Sequence, residues 1–141
     1  MTRTLTDFLP VTAKTAAEAF DWVYAPWIKE MGLTDFELRE GYFAARLPQS
    51  PELQFFTDAI CGQALMAAID TVASMAVATG SRVSKGTVYQ HTHFLRPATG
   101  EDLMIAAEVR RFGKASDYID CIVTLADSGT LCTHAVLEFA F

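Results

Sequence analysis

Cys61-Gly62-Gln63-Ala64-Leu65-Met66-Ala67-Ala68-Ile69-Asp70-Thr71-Val72-Ala73-Ser74-Met75-Ala76 is the stretch that decides the fold. From Ala59 to Ser81 the chain carries one charged residue, Asp70, midway along an apolar run. Its length and its Ala, Leu and Met content predict a helix packed in a core and ended by Gly80. An ionised carboxylate is costly to take out of water unless something pairs with it, which makes Asp70 a candidate functional residue. The plainer reading puts Asp70 at a solvated edge of the helix. The run is long enough to suggest a membrane span, but Gly62, Gln63 and Asp70 and the preponderance of alanine over leucine favour a helix in soluble protein.

Downstream, the pattern changes to period two. Thr87–Leu95 reads as a strand closed by Arg96-Pro97-Ala98-Thr99-Gly100, Leu103–Phe112 as a second with Gly113-Lys114 as its turn. Ser116–Ala126 and Thr130–Phe141 read as two more, joined through Asp127-Ser128-Gly129. Three hairpin-length connections predict an antiparallel meander of these four strands, and the long helix is the cover its apolar face needs. Upstream, Val11–Met31 repeats apolar positions at helical spacing (Ala16, Ala19, Phe20, Val23, Tyr24, Trp27, Ile28), with Thr12 or Thr15 as its cap and Gly32 at its end. Pro26 inside the pattern predicts a kink or two shorter helices. Phe36–Leu47 alternates around Gly41 as a hairpin, which Pro48-Gln49-Ser50-Pro51 breaks. The fold class is therefore α+β, one antiparallel sheet wrapped around a central helix, in a single domain over residues 1–141. Residues 1–32 form a helical extension and 33–141 the core.

Composition narrows the function. With 141 residues, 51% hydrophobic and 20% charged, the chain reads as globular and slightly apolar, with the excess hidden at a subunit interface. A net charge of -6 and a pI near 4.9 argue against nucleic acid, whose phosphates require clustered Lys and Arg. Three cysteines (Cys61, Cys121, Cys132) are too few for a disulfide framework and suggest reduced thiols in a cytoplasm. The first residues lack the apolar core of a signal peptide, and no membrane association is expected.

Gly62, the apolar helix with Asp70-Thr71, and Thr87…Phe94-Leu95-Arg96-Pro97-Ala98…Gly100-Glu101-Asp102-Leu103 together resemble the hotdog-fold acyl-CoA thioesterases of the phenylacetic-acid-degradation (PaaI-like) type. The resemblance covers about residues 53–141. It implies that the Gly62 N–H polarises a thioester carbonyl, that Asp70 is general base or nucleophile, and that the Thr87 hydroxyl assists the attacking water. Thr87 also reads as an ordinary strand threonine. The chemistry suits these residues. Free N–H groups and the dipole at a helix start favour partial negative charge, and glycine admits a close approach. Gly62 and Asp70 are eight residues apart, about 12 Å of helical rise, so one chain cannot bring both to one carbonyl. That supports the homodimer, or dimer of dimers, with sites at the interface that the family implies.

The chain departs from the family pattern in two places. Where relatives show His-Gly-Gly it has Cys61-Gly62-Gln63, and Phe55 replaces an asparagine, with Gln54 and Thr57 nearby as stand-ins. Cys61, Gln63 and Phe55 are thus expected to touch substrate. His93 stands where relatives often carry a polar residue, and Arg96 and Lys114 are candidates for coenzyme A phosphates among Arg82, Lys85, Arg110 and Arg111. Cys61 at a helix start also admits a nucleophile reading, against a small packed thiol. His91 and His93 share a strand face and with Cys132 or His134 could in principle ligate metal. The expectation is no metal, and no cofactor beyond the coenzyme A of the substrate. Three functions stay open: thioester hydrolysis first, a non-catalytic protein binding an acyl or aromatic ligand second, and a hydratase, which lacks a histidine at Cys61, last. The N-terminal helix is expected to cap an acyl pocket or pack on the sheet, its Phe20/Trp27 side setting chain length.

Overall fold

The computed structural model describes residues 2–141. After a 3-10 turn at Leu5–Phe8 come α1 (Ala16–Val23) and α2 (Pro26–Lys29), then β1 (Thr34–Arg39) and β2 (Tyr42–Leu47). A short 3-10 turn, Pro51–Leu53, leads to α3 (Gly62–Val77) and then to β3 (Gly86–Phe94), β4 (Leu103–Phe112), β5 (Ser116–Leu125) and β6 (Leu131–Ala140). Pro26 divides the N-terminal helix because it takes the first position of α2, where its missing N–H costs nothing. Gly41, at φ +77°, makes the turn between β1 and β2, a backbone conformation most side chains avoid.

All six strands form one antiparallel sheet in the order β1-β2-β4-β5-β6-β3. The expected four-strand meander is therefore corrected: β4, β5 and β6 are consecutive neighbours, but β3 pairs with β6 at the far edge. The stretch between Phe94 and Leu103 exceeds a tight hairpin and holds Pro97, so it crosses over instead. It is anchored on the way by Leu95 N to Cys132 O at 2.8 Å and Ile60 N to Ala98 O at 3.0 Å.

Helix α3 lies in the concavity of this sheet. Ala68, Ile69, Val72, Ala73 and Ala76 are fully buried, as are Ile105, Ala107, Cys121, Val123 and Ala135 on the inward faces of β4, β5 and β6. The small side chains of α3 let its backbone approach the sheet closely. The N-terminal segment packs beside it. Phe20, Phe36 and Phe43 pack edge-on and tilted at centroid distances of 5.2 and 5.1 Å, and Val11 N donates to Ala78 O at 2.8 Å. Helix α3 ends at Val77, three residues before Gly80, and the buried Thr79 hydroxyl closes that end: it donates to Ala76 O and accepts from Gly41 N. Among the described residues no helix is long and apolar enough to cross a membrane.

Candidate active site

The burial pattern of α3 leaves one stripe uncovered by its own sheet. Gln63 and Met66 are exposed, and Asp70 and Ser74 are half-buried, while the residues between them are buried apart from the half-buried Ala67. The spacing of three and four marks one helix face. Asp70 thus lies at the edge of the helix rather than inside the core, the plainer of the two sequence readings. Its carboxylate is held there: the Thr87 hydroxyl, from the start of β3, donates to Asp70 Oδ1 at 2.6 Å. One turn further, Ser74 Oγ donates to Thr71 O and shares a short hydrogen bond with the hydroxyl of Tyr24 from the N-terminal segment. Burial pushes the Tyr24 phenol far above its ordinary range, and the nearby Asp70 charge adds to the rise against the opposing Ser74 bond.

The other half of the expected site stands at the opposite end of the stripe. Gly62 is the first residue of α3, after Cys61 as N-cap. An ideal Cβ on Gly62 would lie 3.3 Å from the ring of Phe94, so the end of β3 closes over this amide. Gly62, Phe55, Thr57, Phe94 and Arg96 line an open groove of about 400 Å³. Arg96 is exposed in it and donates to Leu131 O at 2.9 Å. Cys61, half-buried, and Gln63, exposed, line a second groove against Trp27, on the side of the N-terminal segment. Gln54 is spent on Gln49, 2.9 Å away.

Two of the expected substrate contacts lie elsewhere in the chain. Phe94 points inward over Gly62, so its neighbour His93 lies on the outer face of the sheet, stacked on His134 at 6.4 Å and near His91 at 4.8 Å. His134 in turn meets Asp120 at 3.3 Å. Among the described residues no three His, Cys, Asp or Glu side chains assemble as metal ligands. Lys114 stands in the β4–β5 turn, where its carbonyl accepts from Arg82, at the C-terminal end of α3 and away from Gly62. Sequence reasoning missed Phe94 and the Tyr24–Ser74 pair. Ser74 carried a usable signal, a polar residue four positions after Asp70 and so on the same face of an apolar helix.

The family model described as thioesterase superfamily matches residues 62–132, from the start of α3 into β6. No curated protein matches the sequence. Among solved structures, a thioesterase family protein from Silicibacter pomeroyi superposes with a TM-score of 0.81 at 17% identity, covering 91% of this chain and 96% of that one. The PaaI protein of the phenylacetic acid degradation operon of E. coli gives 0.77 at 18% identity, covering 91% and 94%. A hypothetical thioesterase from Streptococcus pneumoniae, solved with coenzyme A, gives 0.70 at 15%, covering 75% and 83%. At such identities the likeness is one of fold, the hotdog fold that the α3 segment suggested. The family match spans half of the chain and includes the helix that bears Gly62 and Asp70, so the chain belongs to the thioesterase superfamily.

Proposed function

We propose that this protein hydrolyses acyl-CoA thioesters at a site shared between two copies of the chain, with Asp70 as general base or nucleophile. The observation that carries the reading is the Thr87–Asp70 hydrogen bond on the uncovered stripe of α3. It aims a carboxylate, the one charge in that helix, at a position where water or a thioester can reach it. The Gly62 N–H of the second copy is the oxyanion donor, since charge developing on the thioester oxygen needs a preorganised donor about 3 Å away. Arg96, exposed beside the Gly62 groove, suits a phosphate of coenzyme A, the molecule bound in the Streptococcus pneumoniae structure. The reduced cysteines and acidic surface fit a cytoplasmic enzyme.

The second copy is supported by β3. As a sheet edge it leaves a row of backbone groups unpaired, and Val88, Tyr89 and Phe94 along it are about half exposed. Soluble proteins seldom leave so apolar an edge open, and pairing β3 with its own copy covers it together with Met66 on the stripe.

Release of free thiol from a panel of short, long and aromatic acyl-CoA thioesters tests the reading, with Asp70→Asn run alongside. Loss of a general base lowers turnover by about 10²–10⁴-fold, and Asp70→Asn is expected in that range with its fold intact. Residual activity within a few-fold of wild type removes Asp70 from the mechanism. A folded protein inactive on the whole panel moves the reading to ligand binding without turnover.

A further inference from the structure

Outside the segment matched by the thioesterase family, the N-terminal residues build a cavity against the C-terminal half of α3. Its volume is about 150 Å³, and its walls are almost wholly apolar: Leu9 and Val23 from the N-terminal segment, Met75 from α3, Val83 before β3 and Phe139 from β6. Two further wall residues place it beside the catalytic pair. Ser74 is one turn from Asp70 on the same stripe, and Gly86 directly precedes Thr87. The Tyr24 and Ser74 hydroxyls, bonded to each other, form its polar corner, and Tyr24 lies close enough to Asp70 to feel its charge. Phe20 and Trp27 are absent from the walls, so the face expected from sequence to set chain length is not the one turned to this space.

We infer that this cavity receives the acyl end of the substrate and limits it to an aliphatic or single-ring group of about six carbons. The inference rests on the thioesterase reading, which puts the scissile carbonyl at Asp70, and adds where the acyl group goes and what measures it. The walls come from the same chain as Asp70, Leu9 and Val23 of the N-terminal segment among them, whereas the oxyanion donor comes from the second copy. A cavity of about 150 Å³ with almost wholly apolar walls is the size that takes one benzene ring, which sets the ceiling. Below it, each buried methylene is worth about fourfold in binding, from the usual transfer free energy. Selection is then by volume, rising steeply up to the ceiling and turning against the substrate beyond it.

The test is kcat/KM for acetyl-, butanoyl-, hexanoyl- and octanoyl-CoA with wild type, Val23→Trp and Leu9→Ala. Val23 is 39% exposed at the end of α1, so a larger side chain there has room to fold over the opening. Wild type is expected to gain about fourfold per methylene up to hexanoyl and to fall at octanoyl. Val23→Trp lowers the hexanoyl-to-acetyl ratio at least tenfold, and Leu9→Ala moves the optimum to a longer chain. Asp70-dependent turnover whose chain-length profile is the same in all three proteins overturns the inference and leaves the thioesterase reading standing. A second readout is independent of turnover: hexan-1-ol titrated into the protein should shift the Val83 and Met75 methyl resonances, and less so in Val23→Trp. Those shifts without thiol release from any thioester keep the cavity as a ligand site and remove hydrolysis. No shift at either methyl group counts against the cavity whatever the kinetics.

Discussion

Gly62→Ala separates two reasons for a glycine at the start of α3. The backbone does not require one, because Gly62 has an ordinary φ and opens a helix, where alanine is the better residue by up to about 1 kcal/mol. What an added methyl would meet is the Phe94 ring, at 3.3, 3.6 and 3.9 Å from its carbon atoms. The closest of these is tight by a few tenths of an ångström. Phe94 is 52% exposed at the end of an edge strand and can move that far. The propensity gain and the crowding cost are thus each under about 1 kcal/mol and opposed, so stability stays within about 0.5 kcal/mol of wild type, a melting shift of about 2 °C or less. Activity should respond quite differently. The methyl stands beside the amide that, in the proposed mechanism, a thioester carbonyl has to reach, and a displacement of about 1 Å from a preorganised donor costs on the order of 10²-fold in rate. Thermal melting and thiol-release kinetics on the same preparation read both quantities. Gly62→Ala/Phe94→Ala should remain impaired, because removing the ring relieves the contact while the methyl stays over the amide. A kcat/KM within about threefold of wild type, at unchanged melting temperature, would sink the assignment of Gly62 as oxyanion donor.

Thr87→Val removes the hydroxyl that orients Asp70 while keeping the shape of the strand residue; about a tenfold fall in kcat is expected with little change in melting, and an unchanged kcat makes Thr87 a strand residue only. Sedimentation at micromolar concentration should show no stable monomer, and Val88→Lys on the open edge of β3 should shift the protein toward monomer and lower turnover with it; a well-folded, fully active monomer contradicts the shared site. Asp117 is fully buried, accepts from Gly113 N at 3.2 Å and has its Oδ2 unpartnered among the described residues, with Arg82 3.9 Å away. Burial raises its pKa against the opposing pull of Gly113 and Arg82, so its ionised form costs stability above the raised value and the cost disappears as pH falls through it. Asp117→Asn should therefore melt higher than wild type at pH 7, with the gap narrowing toward pH 4; a gap that widens on acidification reverses the sign of the argument.

The elements of this fold were legible because each has a periodicity of its own. The α3 run, the hairpin around Gly41 and the four later strands appear within one to three residues of where their patterns placed them. The position of β3 in the sheet was not legible. Its alternation is the same whether it lies beside β4 or β6, and the choice is made by backbone contacts distant in sequence, Leu95 to Cys132 and Ile60 to Ala98. The site divides similarly. Asp70 was conspicuous as the one charge in an apolar helix, but its degree of burial depended on which helix face the sheet would cover. Phe94 reads in sequence only as part of a strand end, since nothing local says that its ring closes over Gly62.

The half-burial of Asp70 and the open edge of β3 have one explanation. A core carboxylate would need several partners to be tolerated, and among the described residues the one side chain bonded to Asp70 is Thr87. An isolated chain can carry it at that level because the stripe Gln63–Met66–Asp70 faces solvent. That stripe and β3 belong to one continuous surface, joined by the Thr87–Asp70 bond at one end and the Phe94–Gly62 contact at the other. Pairing two copies through β3 would therefore bury both half-sites in the step that covers the apolar edge, and would remove water from Asp70 only when the second Gly62 arrives. Under the proposed mechanism the electrostatics of the site would strengthen on assembly, since a carboxylate and an oxyanion donor are each worth more in a drier site. On this argument a β3 edge variant that dimerises weakly loses activity in proportion to its monomer fraction, and raising protein concentration restores it.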